Sequence, residues 1–122
     1  MRARMGTTAT LAFAFLTSIT TAHAATRLTP ADIQTAFFTG QPFTASTPSG
    51  VKFKMVFTAD GKVSREPVAS AGAKGEGTWK IDKDTYCTTW KGQKPNCFGV
   101  LPNGPNKWSV MRASTLIAVW TK

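Results

Sequence analysis

The sequence predicts a mainly β domain, an antiparallel meander that forms a small barrel or sandwich of about seven strands after one short N-terminal helix. Apolar and polar residues alternate with a period of two from Val51 onward, as in half-buried strands. Turn-forming pairs, Asp60-Gly61 and Asn103-Gly104 among them, separate the alternating stretches. Since so many short strands in a small domain leave exposed edges unless the sheet curls, a barrel or a two-layer sandwich is favoured.

The first 24 residues have the layout of a secretory signal peptide. A basic start at residues 1–4 precedes an apolar stretch from Leu11 to Ile19, and Ala22-His23-Ala24 is a small-x-small cleavage site. The apolar stretch is shorter than the roughly 20 residues of a membrane-spanning helix. We therefore expect cleavage after Ala24, a single domain over residues 25–122 with no transmembrane segment, and a location in the periplasm of a Gram-negative bacterium or outside the cell.

A short helix is predicted at the start of the mature domain. Thr29 suits the N-cap position, and Pro30 suits the first helical position, where its missing N–H is not needed. Ile33 and Phe37 form one apolar stripe, and Gly40 suits the end of the helix. A helix of about ten residues is too short to be stable alone, so its stripe is expected to pack on one opening of the sheet or barrel.

The strands follow a polar connector over residues 41–50. Predicted strands cover residues 51–58, 62–66, 78–81, 85–90, 97–101, 107–112 and 115–121. Residues 68–77 are rich in Gly, Ala and Ser, and are predicted to form a mobile loop or a weak edge. The last strand is apolar on both faces. We therefore expect it to be central in the sheet, or to have one face covered by the helix.

Both cysteines, Cys87 and Cys97, lie in the stretch "DTYCTTWKGQKPNCFGV". A redox pair would need a closer spacing such as Cys-x-x-Cys. A metal site would need further ligands, and the only histidine, His23, lies in the predicted signal peptide. A structural disulfide in an oxidising compartment is therefore the favoured interpretation, and no metal or cofactor is expected.

A loop centred near Gly92 sets the register of the cysteine-containing hairpin. The predicted pairs are Cys87 with Cys97, Tyr86 with Phe98, and Asp84 with Val100. Alternation then places one set of side chains on the core face, namely Tyr86, Thr88, Trp90, Phe98 and Val100. The disulfide is expected on the opposite, more exposed face.

Large aromatic side chains are numerous for so small a domain: Trp79, Trp90, Trp108, Trp120 and Tyr86. Their strand positions favour a core role, because a small core needs bulky residues. Two or three of them could still line the mouth of a ligand cavity, and Tyr86, Trp90 and Trp108 are the candidates. Since small barrels are often filled by side chains, a large pocket is not expected.

The chain is strongly basic, with 15 Lys and Arg residues against 6 Asp and Glu and a formal net charge of +9. A basic outer face is predicted to contact an envelope protein or an anionic component of the envelope. The side chains assigned to it are Lys52, Lys54, Lys80, Lys91 and Lys94. The lysines are spread along the chain, which disfavours nucleic-acid binding, and a monomer or a weak oligomer is expected.

The residue types argue against the commonest catalytic sites. With no histidine in the mature chain, Ser-His-Asp and Cys-His catalysis are excluded. Asp60, Asp82 and Asp84 lie in predicted turns, where Asp is expected for backbone reasons. A small enzyme that uses carboxylate or Tyr/Lys chemistry in an aromatic-lined cavity stays open as an alternative function.

One spaced pattern resembles a known family. It consists of G-x-G-x-W at residues 75–79, D-x-x-C-x-x-W at 84–90 and C-F-x-V at 97–100, after the Asp60-Gly61 turn. The pattern resembles the DUF995-type secreted proteins of proteobacteria, and the likeness covers residues 51–120. It implies a periplasmic or secreted β-rich domain and no catalytic residue. Periplasmic lysozyme inhibitors are similar in architecture only, so a lysozyme-inhibitor-like envelope protein is a further alternative. The leading hypothesis is a non-enzymatic binding domain.

Overall fold

A computed structural model of the chain describes residue 6 and residues 10–15, 26–69 and 72–122. These residues form one helix and eight strands: α1 (Pro30–Phe37), β1 (Phe43–Ser46), β2 (Lys52–Phe57), β3 (Lys62–Pro67), β4 (Gly75–Asp82), β5 (Thr85–Trp90), β6 (Asn96–Pro102), β7 (Lys107–Arg112) and β8 (Thr115–Thr121). The strands follow each other in a closed antiparallel barrel, and β8 pairs with β1. The predicted mainly β class with one short helix is confirmed, in its barrel form.

Part of the predicted signal peptide is described, and there the side chains of Leu11, Phe13 and Phe15 are exposed. The predicted cleavage position after Ala24 lies outside the described residues. No helix among the described residues has the length and apolar character needed to cross a membrane.

The first strand of the barrel lies where the sequence predicted only a polar connector. Phe43 and Ala45 of β1 point inward and are 4% and 5% exposed, while Thr44 and Ser46 alternate with them. Ala45 pairs with Phe53 of β2 on one side and with Trp120 of β8 on the other. The connector prediction was therefore wrong over these four residues, because so short an alternation between two prolines is hard to distinguish from a loop.

The fourth strand begins earlier than predicted, within the glycine-rich stretch. Gly75 pairs with Arg65, and Gly77 pairs with Val63. A Cβ on Gly77 would come within 2.3 Å of the backbone oxygen of Thr89 on β5. The loop prediction was wrong for residues 75–77, because glycine weakens a strand in general but permits a close backbone approach here.

Gly77→Ala is expected to lower the free energy of unfolding by about 1–3 kcal/mol, because the overlapping atom belongs to the backbone and strands must separate to relieve it. Urea unfolding monitored by tryptophan fluorescence measures the change. Thr78→Ala, at the next and exposed position of the same strand, is the control and should change stability by less than about 0.5 kcal/mol. Equal effects of the two substitutions would contradict the close strand approach.

Helix α1 closes one end of the barrel, called the helix end below. The Thr29 hydroxyl accepts a hydrogen bond from the Asp32 amide at 3.2 Å, which confirms the predicted N-cap. Ile33 and Phe37 are 0% and 1% exposed, so the predicted stripe is the buried one. Gly40 has a positive φ of 81° and its amide donates to a β2 carbonyl, so the chain turns directly from the helix into the barrel.

Aromatic rings fill the barrel at the helix end. Phe38 stacks on Phe57 at 4.4 Å between ring centroids, and Phe37 meets Trp120 edge-on at 4.8 Å. Trp120 and Tyr86 are 2% and 3% exposed, and their rings lie 5.3 Å apart. The predicted core role of the aromatic residues is confirmed for these two, while the other three tryptophans are partly buried against the same cluster.

The hairpin formed by β5 and β6, which contains the disulfide, has the predicted register. Cys87 pairs with Cys97 and Tyr86 pairs with Phe98, and a disulfide joins the two cysteines. The prediction of an exposed disulfide face holds for Cys97, which is exposed, and is wrong for Cys87, which is 1% exposed. Cys87 is paired on both sides, with Lys80 on β4 and with Cys97, whereas Cys97 has a paired residue on the β5 side only.

The predicted pairing of Asp84 with Val100 does not form. Strand β5 begins only at Thr85, because the chain turns before it through Lys83, whose φ is 57°. The carbonyl of Val100 instead accepts a hydrogen bond from the Leu28 amide at 2.8 Å. The segment before the helix therefore takes the place that the sequence assigned to Asp84.

Candidate functional site

Side chains do not fill the barrel from end to end. A cavity of about 130 Å³ lies inside it, next to the aromatic core. Its buried wall includes Tyr86, Trp120 and Ala118, whereas Phe53 and Trp90 around its outer part are only half-buried. The cavity therefore opens toward the end opposite the helix, called the open end below, where the turns after β1, β3, β5 and β7 lie.

An irregularity in β8 adds one apolar side chain to the cavity wall. Val110 pairs with Ala118, but the next residue, Met111, pairs with Leu116, so Ile117 is an extra residue in its strand. Such a bulge changes the direction in which side chains point. Ile117 lines the cavity, while Leu116 is 40% exposed, which reverses what simple alternation from Ala118 would give.

Arg65 is the one charged side chain among the described residues that line the cavity. It lies on β3 opposite Met55 of β2 and Gly75 of β4. Its guanidinium carbon lies over the Trp90 ring at 4.6 Å from the centroid and over the Phe53 ring at 5.4 Å. The arginine is thus held between two aromatic rings at the mouth of the cavity.

Gly75 leaves the space that this arrangement needs. A Cβ at position 75 would lie 2.9 Å from Nε of Arg65 and 3.2 Å from a ring carbon of Trp90. The glycine that begins the G-x-G-x-W pattern therefore has a definite role, because it lets the arginine and the indole ring pack against the backbone of β4.

The positive charge of Arg65 has no counter-ion among the described residues. Its Nε is buried and has no hydrogen-bond partner there. The neighbouring Glu66 forms ion pairs with Lys54 at 3.9 Å and Lys74 at 3.6 Å. The remaining ion pairs of the described residues are Arg27 with Asp84 and Lys62 with Asp60.

Two hydroxyl-bearing side chains line the inner part of the cavity. Tyr86 is 3% exposed, and burial raises the pKa of its phenol well above the usual range. Like an ordinary tyrosine phenol, it is neutral at physiological pH and can donate or accept a hydrogen bond. Thr88, also 3% exposed, is the buried polar residue of the described core. No described carboxylate or lysine lines the cavity.

Of the aromatic residues that the sequence offered as ligand contacts, the structure brings two to the cavity. Tyr86 and Trp90 both line it. Trp108 instead lies at the helix end, where its ring meets that of Phe37 edge-on at 4.9 Å.

The five lysines offered as a contact face fall into two groups. Lys91 and Lys94 are in the exposed turn after β5, and Lys52 is the first residue of β2, so these three lie at the open end. Lys54 and Lys80 are exposed along β2 and β4, two strands separated by β3. The predicted loop tip, residues 91–94, thus lies beside the mouth of the cavity.

Several depressions lie on the outside of the barrel, and two of them are large. One of about 400 Å³ adjoins the mouth, shares Arg65 and Trp90 with the cavity, and is also lined by Lys74 and Lys91. Another of about 660 Å³ spreads over the outer wall of β3, β4 and β5. This second depression is larger but shallow, so the smaller interior cavity is the better enclosed site for a ligand.

One cluster near the disulfide has the spacing of a metal site. A carboxylate oxygen of Asp82 and the sulfurs of Cys87 and Cys97 lie within 4.8 Å of one another. Metal ligation by cysteine requires a thiolate. Since the two sulfurs are bonded to each other, this cluster offers one carboxylate ligand only.

Sequence reasoning missed Arg65. The signal available was its position two residues after Val63, on the inward side of a strand that begins after the Asp60-Gly61 turn. A second signal was the pair of glycines in the next strand, which leaves room opposite an inward arginine.

Comparison of the chain with models of protein families, with curated proteins and with solved structures gives no match. The resemblance to DUF995-type proteins therefore stays a prediction.

Proposed function

We propose that this protein is a non-enzymatic binding domain that holds a small, largely apolar ligand inside its barrel. The observation that carries the proposal is the interior cavity of about 130 Å³. Small eight-stranded barrels are either filled by side chains or hold one small ligand, and an unfilled cavity with an aromatic wall fits the second case.

The size and lining of the cavity limit the ligand to a small body. Dry protein cavities of about 150 Å³ accept benzene, so a single ring or a short branched chain would fit. The wall is mostly apolar, with a few polar groups from Arg65, Tyr86, Thr88 and Thr47. This combination is typical of small-molecule sites, in which apolar contacts give affinity and a few polar groups give orientation.

The polar groups in the cavity favour binding over the alternative of carboxylate or Tyr/Lys catalysis. Acid–base catalysis works best with a group whose pKa lies near the working pH. Burial moves the pKa of the Tyr86 phenol away from that range. The carboxylates of the described residues lie outside the cavity lining.

The place of action that we propose is the periplasm or the exterior of a Gram-negative cell. A disulfide such as Cys87–Cys97 forms and persists in oxidising compartments. The signal-peptide layout of residues 1–24 supports the same location. An envelope protein or an anionic envelope component would bind to the lysines at the open end, beside the mouth of the cavity.

Filling the cavity tests the proposal. Ala118 is 9% exposed and lines the cavity, so Ala118→Leu would occupy the space of a ligand. We expect benzene to raise the melting temperature of the natural protein, because a ligand that binds only the folded state stabilises it. The affinity, from calorimetric titration, should fall about tenfold or more in Ala118→Leu.

Val119→Leu is the matched control, because it enlarges the next residue of the same strand, outside the cavity lining. Its affinity for benzene should stay within about threefold of that of the natural protein, a difference below about 1 kcal/mol. Binding that is absent in the natural protein, or that Ala118→Leu leaves unchanged, would show that the cavity is not a ligand site.

A further inference from the structure

We propose that the cavity selects a small organic carboxylate, with the guanidinium of Arg65 on the carboxylate at the mouth and the apolar body of the ligand inside. This inference rests on the proposed function, because it names the class of ligand for the same cavity. It is carried by the unpaired charge of Arg65, by the way the side chain is held, and by the charge around the open end.

Arg65 lacks a partner for its charge among the described residues. A polar group that is removed from water is costly unless it is hydrogen-bonded, and the Nε–H of Arg65 is such a group within a half-buried side chain. Nε of Arg65 is buried without a hydrogen-bond partner, and none of the four ion pairs of the described residues includes this side chain. The nearest carboxylate in sequence, Glu66, is engaged with Lys54 and Lys74. A ligand carboxylate would supply the missing acceptor.

Two aromatic rings hold the side chain of Arg65 in place. Its guanidinium carbon lies over the rings of Trp90 and Phe53, at 4.6 and 5.4 Å from the centroids. Stacking uses the faces of a guanidinium, while its N–H donors point outward from the edge in a fork that matches a carboxylate. The rings therefore limit the motion of the side chain before a ligand arrives, so that less freedom is lost on binding.

At the open end of the barrel, basic side chains outnumber acidic ones among the described residues. The basic ones besides Arg65 are Lys52, Lys74, Lys91, Lys94 and Arg112, and the acidic ones are Glu66 and Glu76. An excess of positive charge around a concave site raises the local concentration of anions and speeds their entry.

The ligand body must be small and apolar. The cavity of about 130 Å³ is close to the roughly 150 Å³ that accepts one benzene ring. Benzoate combines such a ring with a carboxylate, and benzamide has nearly the same shape without the charge. These two compounds are therefore a matched pair of probes for the role of Arg65.

The experiment is a calorimetric titration of the disulfide-intact protein with benzoate and with benzamide at pH 7 and low salt. We expect benzoate to bind about 10- to 100-fold more tightly than benzamide, because a hydrogen bond to a charged group contributes more than one between neutral groups. In Arg65→Met, the affinity for benzoate should fall to that for benzamide, while benzamide binding changes by less than about threefold.

Two further variants make the result specific. Lys107→Met removes one positive charge at the helix end, outside the cavity lining, and it should leave the preference for benzoate within about threefold of that of the natural protein. Arg65→Lys keeps the charge but loses the planar fork, and it should show an intermediate preference. Near-ultraviolet circular dichroism would verify that each variant keeps its packed aromatic core.

The outcomes separate this inference from the proposed function. Equal binding of benzoate and benzamide, lost in Ala118→Leu, would overturn the carboxylate inference and leave the cavity as a ligand site. A preference for benzoate that survives in Arg65→Met would also overturn it. Failure of the natural protein to bind either probe would overturn the inference together with the function on which it rests.

Discussion

Trp120→Ala is expected to remove about 3–5 kcal/mol from the free energy of unfolding, the usual cost of deleting a large buried aromatic side chain. Trp120 is 2% exposed, and its ring lies within 5 Å of those of Phe37 and Phe43, measured between centroids. It also lies at 5.8 Å from Phe57 and 5.3 Å from Tyr86. Its removal would therefore leave a void that borders the helix, three strands and the inner end of the interior cavity.

Such a loss is large for a small domain, whose total stability is usually about 5–15 kcal/mol. Chemical denaturation monitored by far-ultraviolet circular dichroism gives the value without relying on the deleted fluorophore. Leu116→Ala on the same strand is the control, because Leu116 is 40% exposed and its truncation should cost no more than about 0.5 kcal/mol. If the two variants were equally stable, Trp120 would not be the centre of the aromatic core.

Removal of the disulfide by the double substitution Cys87→Ala/Cys97→Ala is expected to cost about 2–3 kcal/mol. The bond closes a loop with a sequence separation of 10 between residues that already face each other across a hairpin. Its main effect is to limit the freedom of the unfolded chain, so the native barrel should keep its shape in the double variant.

The same quantity is available from the natural protein by comparing urea unfolding with and without dithiothreitol. Reduction should shift the midpoint of the natural protein and leave that of the double variant unchanged. If complete reduction left the urea midpoint of the natural protein unchanged, a stabilising role for the bond would be excluded. Since Cys87 is 1% exposed while Cys97 is exposed, reduction is expected to begin by attack on the Cys97 sulfur.

The sequence was most informative where turn chemistry and alternation agree. In the β5–β6 hairpin, the loop around Gly92 and the alternating rings predicted the pairing of Cys87 with Cys97, which the structure confirms. It was least informative for β1, a four-residue strand whose assignment depends on pairing with β2 and β8. It also missed the start of β4, because Gly75 and Gly77 have no side chains that could show a pattern.

The sequence predicted the aromatic residues of the site but not its arginine. Tyr86 and Trp90 were candidates because aromatic rings on an inward face can line a cavity, and both do. Arg65 was missed because a basic residue in a strand usually faces water, and only its register with Met55 and Gly75 places it inside. The volume of a cavity is the small difference between the volume inside the barrel and the volume of the side chains that fill it. A pattern of residue types does not predict this difference.

The pairing of β1 with β8 has a consequence for the order of folding. It joins residues 44–46 to residues 119–121, so it closes a far longer loop than any of the hairpins. Contacts between distant parts of a chain slow folding, whereas hairpins can form early from neighbouring residues. Until this contact forms, both strands present unpaired edges to other unfolded chains. We expect the closing of the barrel to be the late step, so the interior cavity exists only in chains that have completed it.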